Sequence, residues 1–245
     1  MPSLIRPNSR LTLQDGELIS TKESIYPVNT DYVLGQPVNR RYRPTDELKR
    51  RFTRYFGLAE ERARRGLTYQ EVHDKIDWDT LVRHGRFRMA SMGDRVRAAR
   101  LVQNSPIARD NSFVRYELLP DENYRRVRAD DVPHRMIHYG RVQDIFYVEY
   151  KQTRPIEERK PYLLALVQEC NTGGLDATLP ENPLVTYNRL ETAHIINLGT
   201  VHAAVGRVKV GGRNTWAIVD RSRGARTQFN NDDGIPDPNL NPELY

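Results

Sequence analysis

The stretch Arg135-Met136-Ile137-His138-Tyr139-Gly140-Arg141-Val142-Gln143-Asp144-Ile145-Phe146-Tyr147-Val148-Glu149-Tyr150-Lys151 decides how the rest of the chain is read. It is the longest segment in which aromatic and β-branched residues dominate without a proline, a composition that predicts a long strand. At period two, Val142, Phe146, Val148 and Tyr150 share one face, and Arg141, Gln143, Ile145, Tyr147 and Glu149 the other. That alternation is the signature of a half-buried strand. Gly140 near its start predicts a bulge or a close backbone approach, and so a bend that lets one strand serve two sides of a small barrel.

Downstream of this stretch the apolar run Tyr162 to Cys170, bounded by proline and by Asn171-Thr172-Gly173-Gly174, predicts a buried strand. Ile195 to Leu198 and Val201 to Val210 add strands, and Thr215 to Arg221 returns after Gly211-Gly212 as a hairpin partner. Upstream, Phe113 to Leu119, Arg86 to Met89 and Asp94 to Val102 read as further strands, the last two joined around Ser91 to Gly93. Before them the period changes to helical. Leu48, Phe52, Tyr55, Phe56, Ala59 and Ala63 recur at helix spacing from Pro44 to Arg65, with Lys49, Arg50 and Arg54 opposite. Thr68 and Glu71 form a capping box for a second helix, and Asp77 is expected to cap one more turn through Trp78, Leu81 and Val82, ending at Gly85. The expected organisation is an extended arm over 1–43, a basic helical segment over 44–84, a β-rich barrel-like domain over 85–230 and a mobile tail over 231–245. The expected fold class is α+β, with N-terminal helices followed by a small, strongly bent antiparallel sheet or barrel.

Composition narrows the function classes. A single cysteine, Cys170, excludes an intramolecular disulfide and a cysteine-rich zinc site. The first residues lack an apolar signal region, and the longest apolar run is Tyr162 to Val167, so an intracellular protein without a membrane span is expected. The net charge of +6 is concentrated: residues 40–100 hold 17 basic and 9 acidic residues, a surplus of +8, which leaves −2 for the remainder. Arginine accounts for 32 of the 38 basic residues, and its planar fork suits phosphate or carboxylate.

Five short motifs occur together and in order: Gly85-Arg86-Phe87-Arg88 with Gly93-Asp94 and Arg97-Ala98-Ala99; Asn111 to Glu117; Tyr139 to Ile145; Val205-Gly206-Arg207-Val208; and Trp216 to Ser222. Taken together, about three fifths of the chain resembles an uncharacterised region of transposon-derived proteins of mushroom-forming, basidiomycete fungi. The Tyr-Gly strand start is also similar to the domain that follows the catalytic part of plant CACTA-type transposases. The resemblance implies a nuclear, nucleic-acid-related setting and no particular reaction. The usual Gly-Gly-Asp of the family stands here as Met92-Gly93-Asp94.

Arg83, Arg86, Arg88, Arg95, Arg97 and Arg100 alternate along expected strands, so several guanidinium groups should share one sheet face and track phosphates. Aromatic residues are interleaved, with Phe87, Phe113 and Tyr116 close by, and period two should turn many of them inward. A non-enzymatic module that contacts nucleic acid through this face is the first expectation. A protein-interaction module for a transposase or chromatin partner is the second. The third is a metal-dependent nuclease, in which Asp131 and Glu149 would hold a metal and Lys151 would orient water. Gly140, Trp216, Asp220 and Arg221 read as structural or interaction residues. The histidine pairs His134/His138 and His194/His202 lack a third ligand at motif spacing, so no metal and no cofactor is expected.

Overall fold

The computed structural model describes residues 22–62, 66–90, 93–102, 110–118, 136–152, 158–211 and 214–222. In chain order these residues form β1 (Glu23–Tyr26), β2 (Asn29–Asn39), α1 (Asp46–Arg62), α2 (Tyr69–Lys75), β3 (Ile76–Met89), β4 (Arg95–Arg97), β5 (Phe113–Leu118) and β6 (Met136–Gln152). They continue through β7 (Glu158–Glu169), β8 (Thr186–Tyr187), β9 (His194–Asn197), β10 (Val201–Ala204), β11 (Gly206–Lys209) and β12 (Trp216–Val219). All the pairings are antiparallel.

The long aromatic stretch, β6, is the spine. One of its edges is covered by β7 over most of its length, from Gly140 opposite Glu169 to Gln152 opposite Glu158. The other edge is shared in tandem: β5 pairs with Met136 to Arg141, and β3 with Ile145 to Tyr150. Near the junction of the two partners, the register with β7 slips between Val142 and Asp144, leaving Gln143 as the extra residue of a bulge. A one-residue slip exchanges the two faces. Val142 before it therefore joins Ile145 and Tyr147 after it in one core, with Leu34, Phe87, Tyr116 and Val167. The opposite face is divided between two smaller cores. Ile137 and Tyr139 pack with Phe113, Tyr187 and Ile218, whereas Phe146, Val148 and Tyr150 pack with Leu48, Phe52 and Phe56 of α1.

Three sequence expectations are corrected by this arrangement. The spine is buried on both faces, not one, and Val142 belongs with Ile145 and Tyr147, not with Phe146, Val148 and Tyr150. The bulge sits at Gln143. Gly140 marks a close approach instead: a Cβ there would lie 2.4 Å from Val167 Cγ1 and 2.9 Å from the Gln168 carbonyl oxygen.

The fold class is also corrected. The chain is a mostly antiparallel β-structure in two open sheets, not N-terminal helices followed by a small bent sheet, and no barrel closes among the described residues. The larger sheet has nine strands, with β1 and β10 at the two ends of its main path, and β8, β12 and β11 form a separate three-stranded sheet. Strands precede the helices, because the expected arm contributes β1 and β2. The uneven spacing of Tyr32, Val33 and Leu34 between polar residues hides β2, whose interior residues nonetheless bury against β3. Residues 1–21 and 231–245 lie outside the described residues.

The expected third helical turn over Asp77 to Gly85 is part of β3. The capping box is real: Glu71 N donates to Thr68 Oγ1 and Thr68 N to Glu71 Oε2 at 2.7 Å. The helix ends at Lys75, however, and Ile76 is extended. Between Asp77 and Val82, five residues of β3 advance against two of β6. Leu81 thus reaches the α1 core at a spacing that imitates a helical turn. A second break follows at Gly85. His84 and Phe87 both meet the main core although their parity differs, so the alternation of β3 shifts between them. A Cβ on Gly85 would lie 2.3 Å from Pro37 Cδ and 2.7 Å from Pro37 N, which only glycine avoids.

Candidate nucleic-acid interface

Beyond Gly85, the end of β3 and the whole of β4 form a short antiparallel ladder in which Arg86 faces Arg97, Phe87 faces Val96 and Arg88 faces Arg95. Directly opposed residues share a face, and so do residues two apart. Phe87 and Val96 are buried in the main core, so the four arginines project together from the other face. The turn that joins the strands is closed by Gly93 at φ +71, with Met89 N donating to Asp94 O at 3.0 Å and Gly93 N to Met89 O at 2.9 Å. The Asp94 carboxylate accepts from Ala204 N at 2.9 Å, which anchors the turn to β10.

The arginines differ in what surrounds them. Arg88 is buried and its guanidinium meets the Glu23 carboxylate at 3.4 Å. Arg86 is exposed; its stem crosses Gly35, and its Nε donates to the Gln36 carbonyl at 2.9 Å. Arg95 and Arg97 are exposed, and neither makes an ion pair among the described residues. Of the other two, Arg83 lies over the Tyr42 ring at 4.3 Å, and Arg100 is held by Asp144 at 2.5 Å and by the His84 carbonyl at 3.1 Å. Of the six arginines, Arg86, Arg95 and Arg97 are the exposed groups of the ladder, Arg88 is buried, and Arg83 and the exposed Arg100 are held by neighbouring groups away from it. The aromatic rings Phe87, Phe113 and Tyr116 are buried.

The residues of the nuclease expectation are placed only in part. Asp131 lies outside the described residues. Glu149 and Lys151, two apart on β6, share a face, and Glu149 accepts from Tyr147 Oη at 2.8 Å. Among the described residues no group of three or more His, Cys, Asp or Glu side chains is placed to hold a metal ion. Trp216 is half-buried beneath the Arg207 guanidinium at 4.0 Å, and Arg221 is exposed.

Asp220 belongs to a network that the sequence does not announce. Arg115 is buried and reaches Asp220 Oδ2 and Asp176 Oδ2 at 3.2 Å and Glu117 Oε1 at 3.3 Å. Tyr139 Oη donates to Asp220 Oδ2 at 2.7 Å. Burial, then this bond to the carboxylate, raises the Tyr139 phenol well above its usual range. The network ties β5, the segment before β8 and the end of β12 to the spine. A second group gathers on the main-core side: His138 Nδ1 lies 2.8 Å from Glu169 Oε1, and Tyr116 Oη lies 3.4 Å from His194 Nε2. The hydrogen bond to His138 holds the Glu169 carboxyl below its usual range, and burial lowers His194. The signal for both groups is cross-strand register, which pairs Tyr116 with His138 and Arg115 with Tyr139.

No family model, no curated protein and no solved structure matches this chain. No helix among the described residues is long and apolar enough to cross a membrane.

Proposed function

We propose that this chain is a nucleic-acid-binding module of a mobile-element-derived protein, with Arg86, Arg95 and Arg97 as its phosphate-contacting residues. The observation that carries the reading is the ladder of opposed arginines. Like charges placed directly across a strand pair cost stability, on the order of 0.2–1 kcal/mol per pair, and here no acid among the described residues offsets Arg95 or Arg97. A surface that carries such a cost without a folding role suits an anionic partner. The resemblance of the ordered motifs to transposon-derived proteins supports the same reading and a nuclear setting. Arg88, sealed by Glu23, fixes the strand beneath the exposed three.

Counterion release would dominate such binding, so affinity should fall steeply with salt. Titration of a labelled DNA fragment against the full chain, at low and at near-physiological salt, is expected to give binding that weakens sharply between the two. The triple variant Arg86→Gln/Arg95→Gln/Arg97→Gln is expected to lose most of it. Absence of binding at low salt, or equal binding by the triple variant, would remove the proposal.

A further inference from the structure

We infer that the arginine face takes double-helical nucleic acid by its phosphates alone, without preference for base sequence; the inference rests on the nucleic-acid reading above. Two observations point to it. The first concerns stacking. Proteins that hold single strands supply exposed rings on which bases lie. Here the rings of β1, β2 and the distal half of β3, Tyr26, Tyr32 and Phe87, are all buried in the main core, and β4 has none. Among the described residues, the exposed arginine face of β3 and β4 offers charge and no stacking platform.

The second observation concerns width. Base edges of a duplex are read by a helix or a two-stranded ribbon that enters a major groove about 12 Å across. The β3–β4 ladder is not a free ribbon. β2 lies along the other edge of β3, and β1 along β2, so the two arginine-bearing strands belong to a stretch of four adjoining strands. At about 4.8 Å per strand this surface is roughly 19 Å wide, too broad to enter the groove. Its arginines instead meet the phosphate rails that border a groove. Arg95 and Arg97, two residues apart, are about 6.6 Å apart along the strand, and Arg86 stands directly across from Arg97. Three charges held about 5 to 7 Å apart suit neighbouring phosphates along a rigid backbone rail, which a lone flexible strand does not present in fixed positions.

Anisotropy titrations with the full chain test this: two unrelated DNA duplexes of about 20 base pairs, an RNA duplex and a DNA single strand of equal length, each across a salt series. Duplexes should bind at least about fivefold tighter than the single strand, and the two DNA sequences should agree within about threefold. Three phosphate contacts predict a slope of log K against log salt near −2.7 on duplex DNA, reduced by about one in Arg97→Gln. The RNA arm tells which double helix is preferred. Single-strand binding equal to or tighter than duplex binding, or a strong preference between the two DNA sequences, overturns this inference while leaving the nucleic-acid reading in place. Binding to none of the ligands, or an unchanged slope in Arg97→Gln and in the triple variant, overturns both.

Discussion

At Gly140 the whole constraint is one missing carbon. Its φ is not left-handed, so the demand for glycine comes from Val167 and the Gln168 carbonyl, which crowd the space where a side chain would begin. Gly140→Val should therefore cost more than about 2 kcal/mol and exceed Val142→Ala, a methyl-deletion change of about 1 to 3 kcal/mol in the same core. Unfolding midpoints of the two variants check the order. The glycine was legible from its position in a strand pattern, but the bulge assigned to it was not, because Gln143 carries no compositional mark. His84 gives a second residue-level test. Burial, then the Arg40 charge, lowers its pKa to about 4. The unfolded chain then binds the proton at higher pH than the folded one, so stability is complete above about pH 6.5 and falls as pH drops toward 4. The loss from this group is about 3 kcal/mol. Urea unfolding of the parent and of His84→Gln between pH 7 and pH 4.5 should show a shallower decline in the variant. Parallel declines would mean that His84 is not the titrating group.

Among the elements, β5 and the β3–β4 ladder make opposite use of arginine. On β5, Arg115 is the cation shared by Asp176, Asp220 and Glu117. Removing it strands buried carboxylates, so Arg115→Met should destabilise by about 3–5 kcal/mol. Asp220→Asn should cost less, because the arginine keeps two acids. Equal midpoints for Arg115→Met and the parent would show that the network does not hold the β12 end. On the ladder the sign reverses. Arg97→Thr relieves a like-charge pair and should leave stability unchanged or raise it by up to about 1 kcal/mol while weakening nucleic-acid binding. A clear fall in its unfolding midpoint would contradict that. Alternation made the ladder readable, since Arg86, Arg88, Arg95 and Arg97 stand at period two in two runs flanking a glycine turn. Nothing local showed that Arg88 would be sealed by Glu23, sixty-five positions away, or that Arg115 would find its acids across the chain.

For the whole molecule, one strand organises three cores; the length and composition of β6 marked it as the organising strand, but not its burial on both faces. Closure was not marked either. A pattern of short strands after helices is equally compatible with a barrel and with an open sheet, and the tandem sharing of one β6 edge by β5 and β3 is decided by long-range pairing. The helical spacing of Trp78, Leu81 and Val82 misled for the same reason, because the slip against β6 sets it. The outcome places the exposed arginines on the sheet end beyond Gly85. The most direct test of the functional account is a backbone-amide NMR titration of the full chain with a short DNA duplex. Shifts concentrated on Arg86 to Arg88 and on Asp94 to Ala98 are predicted, fading as salt rises. Shifts confined to α1 or to the β8–β12–β11 sheet, with β4 silent, would contradict it.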